Sequence, residues 1–305
     1  MTWKIFFGFI FTLITFFLLF FYWFFPSTNF EFYQGYTSSN NFNFSLNDSS
    51  GNMQFYKNMR YSDSKISYNI YNCPLQKKYD MENSFEIISN ITSLNFYEVK
   101  SNEEIFVTCD SRNKIENSLF IAGEGGPVNI TKTDNFNVIL QGEILLIRES
   151  KCKNPNIALH ELFHALGFDH SLNPSNIMYN VSRCNQNIGP NIINKINELY
   201  TFPSYPDLSF ENVSAIMHGK YLNTNITIRN QGLKDSEKTK IIIYADEEII
   251  KEIKLNPLKI GYGITMTLNN ILIPKINIYE LKFLIDSNFS ELKMKNNEIK
   301  LKIKK

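Results

Sequence analysis

The hydrophobic and polar positions fall into three stretches of different rhythm. From Ile5 to Phe25 the chain runs 21 residues without a charge, between Lys4 and Pro26. A helix of that length covers roughly 30 Å, enough to cross the hydrocarbon of a bilayer. Trp3 and Tyr22-Trp23 stand near its ends, where amphipathic rings favour the interface. Residues 26–57 lose all periodicity, are rich in Ser, Asn, Tyr and Gly, and read as a stalk.

Pattern returns with KISYNIYN (65–72), whose Ile66, Tyr68 and Ile70 alternate as in a half-buried strand. After Pro74, Met81, Phe85, Ile88 and Ile91 recur at helical spacing. SLNFYEV, EEIFVTC, SLFIAG and FNVILQGEILLIR then read as strands, with the glycine-rich GEGGP (123–127) as a break between the last two. Asn154-Pro155 marks a helix start that runs through NIALHELFHAL and stops at Gly167. A short helix, NIINKINELY, closes this region. Strand, helix, strands and helix in that order predict a mixed α+β domain over 58–203. Beyond the prolines of FPSYPDL helical periodicity disappears. About seven short strands separated by turn-rich breaks, TKIIIYADEEII read as one of them, predict an all-β sandwich over 204–305.

Composition adjusts this picture only in places. An apolar share of 43% over 305 residues, with 26 Phe and 16 Tyr, is ample for buried cores, and a net charge of +1 makes no electrostatic case for nucleic acid. The apolar run of 5–25 exceeds the usual core of a cleaved signal and lacks a small-x-small cleavage site, so a transmembrane signal anchor is expected. Lys4 keeps residues 1–4 cytoplasmic and the bulk of the chain extracellular, in a single-pass cell-membrane protein. The alternative is secretion after signal cleavage. Cys73, Cys109, Cys152 and Cys184 suit an exported chain and contain no CxxC pair. Three pairings could form. Cys73–Cys109 with Cys152–Cys184 is preferred, because the second bond would staple the loops around the histidine stretch; free buried thiols are the rival reading.

That stretch, HELFHALGFDHSLNPSNIMYN (160–180), holds three of the chain's four histidines. His160 and His164, four apart, lie on one face of a helix, where two imidazoles can share a cation. Glu161 sits at the edge of that face, within reach of a water but not of the metal. Gly167 lets the chain turn at positive φ so that His170 can return as third ligand. Three neutral nitrogens leave one position of a tetrahedral zinc open, as catalytic sites do; without a carboxylate ligand the set does not suit non-haem iron. Zinc in such a site makes a water acidic enough, at a pKa of about 7, for Glu161 to take its proton during attack on a peptide carbonyl.

HELFHALGFDH is similar to the metzincin pattern H-E-x-x-H-x-x-G-x-x-H. The following SLNPSNIMY resembles the matrixin branch, with Met178 eight residues after His170. The resemblance implies a zinc endopeptidase acting on proteins or peptides, with one catalytic Zn2+, and Met178 as an apolar floor in a tight turn beneath it. It also implies a substrate-flanking edge strand near GGPVNITKTDNFNVILQGEI, and calcium, for which no residue can be assigned. Phe163 stands where many matrixins carry glycine, so packing behind the helix must differ. The C-terminal PDLSFENV, NITIRNQG and KNNEIKL resemble CARDB immunoglobulin-like domains, which implies an adhesion or presentation role and a surface ligand. The alternative function is a surface binding protein whose metalloprotease fold is vestigial.

Overall fold

The computed structural model describes residues 2–24 and 53–302, apart from 113, 117–118, 219, 274–277 and 279. It divides into two units, Met1–Asn47 and Asp48–Lys305. In the first, α1 (Thr2–Phe24) forms over the predicted apolar run. Among the described residues no helix is long and apolar enough to cross a membrane. The side chains of Ile5, Phe6, Phe9, Leu18 and residues 20–24 lie outside that description, as does Phe25. Most of the expected stalk, 26–52, is outside it too. Residues 53–57 are not stalk: Met53 and Phe55 pack against the core of the second unit, and their backbones hydrogen-bond to the loop that follows the histidine helix.

The second unit begins with a mixed sheet. Its path runs β1 (Met59–Tyr61), β8 (Asn137–Leu146), β4 (Ile105–Cys109), β2 (Lys65–Tyr71) and β3 (Asn95–Glu98), every pair parallel. On the other side of β8 lies β7 (Gly123–Lys132), antiparallel to it. A small hairpin, β5 (Ile115–Glu116) with β6 (Leu119–Phe120), precedes that strand. Two helices, α2 (Leu75–Ile91) and α3 (Asn156–Ala165), bury Met81, Phe85, Ile88, Leu159, Leu162 and Phe163 against Ile66, Ile105, Val107, Ile139 and Ile144 of the sheet. Each such side chain contributes about 1.5–3 kcal/mol on burial. The fold class expected for 58–203 is the one observed. Phe163 is fully buried and meets Phe168 edge-on, with ring centroids 6.0 Å apart, which fills the space a glycine would leave. Both preferred disulfides, Cys73–Cys109 and Cys152–Cys184, are formed.

Two local expectations fail. GEGGP is no break but the start of β7, since Gly123 and Gly125 serve close approach to Glu161 of α3 instead of a turn. Asn154 does not cap α3 with its side chain; the helix starts at Asn156, whose amide donates to the Asn154 carbonyl.

After α4 (Pro190–Leu199) the chain forms a two-sheet sandwich, of order β13–β10–β9 and β12–β11–β14–β15. The strands are β9 (Leu208–His218), β10 (Tyr221–Asn230), β11 (Thr239–Ala245), β12 (Glu248–Leu255), β13 (Gly263–Leu272), β14 (Glu280–Asp286) and β15 (Glu298–Lys302). TKIIIYADEEII proves to be two strands. Asp246 and Glu247 both take positive φ, 43° and 72°, the backbone of a tight hairpin turn without glycine. A separate apolar cluster joins Phe136, Val138 and Leu199 of the first domain to Leu233 and Ile260 of the sandwich, and the Asp134 amide donates to Gln231 Oε1 across the same junction.

Candidate metal centre

Nine of the ten residues of α3 are buried, among them His160, Glu161 and His164. A helix sunk this deeply needs a reason for its polar groups, because an unpaired buried polar atom costs about 1–3 kcal/mol. The reason is visible in the rings. His160 Nδ1 lies 2.7 Å from the Ile177 carbonyl, and His164 Nδ1 lies 2.7 Å from the Phe168 carbonyl. A carbonyl can only accept, so in the neutral ring each Nδ1 carries the proton and each Nε2 presents a bare lone pair.

Those lone pairs converge with a third. The Nε2 atoms of His160 and His164 are 3.0 Å apart, those of His164 and His170 3.2 Å, and those of His160 and His170 3.3 Å. Three nitrogens on one tetrahedral zinc, each about 2.0–2.1 Å from it, would stand about 3.3 Å from one another. Hydrogen bonds cannot satisfy the triangle: two corners have no proton to give, and His170 can serve only one. A shared cation can. Charge points the same way, since burial lowers all three imidazoles, His160 to about 4, and holds them neutral as ligands must be. They form the cluster of potential ligands found among the described residues.

The third imidazole depends on how α3 ends. Gly167 has φ +93°, its amide donates to the His164 carbonyl, and the Phe168 amide reaches back to the Phe163 carbonyl. This is the Schellman closure that a left-handed glycine permits. Two residues later His170 points back, its amide held by Asp169 Oδ1 at 2.6 Å. Met178 is fully buried; its amide donates to Asn176 Oδ1 at 2.8 Å and its carbonyl accepts from the Ser171 amide at 2.7 Å. The turn it belongs to thus supplies, through Ile177, the acceptor that orients His160.

Glu161 faces β7. A Cβ on Gly125 would stand 2.3 Å from the Glu161 carbonyl oxygen, so only glycine lets strand and helix come this close. Burial first, then the nearby Glu124, push the Glu161 carboxyl up to about 8. Glu124 is itself paired with Lys114.

Of the five residues singled out from the sequence, the three histidines converge on one point, Glu161 is next to His160 on α3, and Met178 follows the Ile177 carbonyl that His160 meets. Unforeseen were Phe55, whose ring stacks on His164 at 5.7 Å, the carbonyls of Phe168 and Ile177, and the role of Gly125. The GEGG run was the available signal for the last. Nothing in the sequence around Phe55 distinguishes it from its neighbours.

Two histidines of a buried helix joined by a third from the loop after it, with an antiparallel edge strand against that helix, make a metalloprotease-like arrangement. Residues 60–201 match the family model described as Matrixin, and residues 205–300 match the CARDB model, in the order expected from the sequence. Among solved structures, it is similar to a domain of a protein described as a cell-surface protein from Methanosarcina acetivorans, at 21% identity and a TM-score of 0.29, over 32% of this chain and 88% of that one. It is also similar to the CARDB domain of a Pyrococcus furiosus protein in complex with di-metal ions, at 18% identity and a TM-score of 0.28, over the same shares. No curated protein matches the chain.

Proposed function

We propose that this chain is a membrane-anchored, extracellular zinc endopeptidase. The observation that carries the reading is the triangle of Nε2 atoms at 3.0–3.3 Å with a buried glutamate on the adjoining residue. His160, His164 and His170 would hold one Zn2+, which when bound supplies Lewis acidity to a water and to the scissile carbonyl. Glu161 takes the water's proton during attack and returns it to the leaving nitrogen. β7 is the edge of its sheet and lies against the helix that carries the site, so an extended peptide can pair with it as an added strand. Met178, fully buried in the turn after His170, would be the apolar floor of the site.

In this reading α1 is the anchor, residues 1–4 are cytoplasmic, and domains 58–203 and 204–305 stand outside, where their disulfides persist. N-terminal sequencing of the mature protein separates anchoring from secretion: an intact Met1-Thr2-Trp3 excludes cleavage. The CARDB domain serves a binding role at the surface. For the protease itself, the purified chain should contain about one zinc per molecule and cleave an unstructured protein until a chelator is added. A chain that binds no zinc, or cleaves equally with the metal removed, refutes the assignment.

A further inference from the structure

The segment in front of the first strand is tied to the metal centre at three successive residues. The Phe55 amide donates to the Gly167 carbonyl at 3.0 Å, and the Asp169 amide donates to the Met53 carbonyl at 2.8 Å. Between them Gln54 faces Phe168 as an isolated antiparallel bridge. Phe168 is no ordinary neighbour: its carbonyl is the acceptor that orients His164, and the residues it joins lead from one ligand to the next. The Gln54 side chain closes the segment on itself, donating to the Met59 carbonyl at 2.7 Å and accepting from the Met59 amide at 3.3 Å. Met59 in turn lies against Gly167, so close that a Cβ there would stand 2.6 Å from its side chain. The Phe55 ring lies nearly parallel to the His164 imidazole, 19° off with centroids 5.7 Å apart, within the range of offset stacking.

We infer that Met53–Phe55 is a positioning brace for the metal centre, with Phe55 as its central residue. It acts through His164 and the 167–169 loop: the stacked face limits rotation of the imidazole about its long bond, and the two backbone hydrogen bonds hold the Phe168 carbonyl where Nδ1 needs it. Ligands arranged before the ion arrives lose less freedom on binding it, so the brace raises metal affinity without contributing a ligand. This rests on the zinc reading given above, and its consequence is a specific one. A chain beginning at Met53 keeps the centre intact, whereas one beginning after Phe55 keeps every ligand and loses part of its grip on the ion.

The test uses the full chain and reads metal binding, not turnover. Zinc affinity is measured by competition with a chromophoric chelator for the parent and for Phe55→Leu, Phe55→Ala and Phe55→Tyr. Cobalt(II) absorption of each loaded protein reports ligand geometry. Leucine keeps apolar bulk and removes the ring face, so Phe55→Leu decides the matter if Phe55→Ala fails to fold. The expected result is a loss of about 10–100-fold in zinc affinity for Leu and Ala with an altered cobalt spectrum, the size seen when groups behind a metal ligand are removed, and near-parent behaviour for Tyr. Parent-like affinity in Phe55→Leu overturns the inference, and so does a loss in Phe55→Tyr equal to that in Phe55→Leu. A parent that binds no zinc at all overturns the zinc reading itself, and the brace with it.

Discussion

Both halves of the 48–305 unit bury polar side chains, but they use them differently. In the sandwich, Asn230 has no exposed surface and spends its amide on backbone: Oδ1 accepts from the Asp207 and Gly232 amides, and Nδ2 donates to the Lys234 and Leu258 carbonyls. Glu291 accepts from the Leu208 amide and from the side chains of Ser287 and Asn297. In the histidine helix the buried groups are only half-satisfied by the protein around them. Each of His160 and His164 has one nitrogen on a carbonyl and the other turned toward its fellows, and Glu161 is buried at a cost that raises its carboxyl to about 8. Buried polarity that ends on backbone holds a fold together; buried polarity that converges on a single point is held ready for something else.

Substitutions can break this contrast from either side. The largest effect is expected for Glu161→Ala, with proteolysis of an unstructured substrate falling at least about 10^3-fold, toward the upper end of what a lost acid–base group costs. Its zinc content and unfolding temperature should stay at or above the parent's, because a buried carboxyl is removed. An unchanged rate would exclude Glu161 as the base. Gly125→Ala forces β7 off the helix; since a displacement of about 1 Å can cost 10^2-fold, kcat/KM should fall by about that factor while zinc stays bound.

The remaining effects lie on stability. The two disulfides close loops of similar size, with separations of 36 and 32 residues, so replacing either pair with serine should cost about 3–4 kcal/mol in denaturant unfolding. Only loss of Cys152–Cys184 should also weaken zinc, since that bond ties the start of α3 to the loop beyond Met178. Equal zinc affinity in the two serine pairs would show that the second bond is a mere staple. Asn230→Ala strands backbone groups and should cost about 3 kcal/mol, with the turnover of each folded molecule unchanged.

The site is largely legible in the sequence, because its chemistry is local. One helical turn separates His160 from His164, one glycine at positive φ separates them from His170, and both facts are short-range consequences of backbone geometry. The helices and most strands are legible for the same reason. Glycines are not: Gly123 and Gly125 look like any turn until the helix they must admit is in place. The junction of Asp246 and Glu247 is hidden as well, since neither residue advertises a turn as glycine would.

By itself, the sequence picked out the three histidines that converge and the glutamate beside them, and it determined the two fold classes in their order; among the cysteine pairings it allowed only a preference. Tertiary structure alone decided that β7 lies over Glu161 and that the sandwich shares an apolar seam with Phe136 and Leu199. It alone brought Phe55, more than a hundred residues upstream, against the ring of His164. Periodicity records which face of an element is buried; it carries no record of what that face will meet.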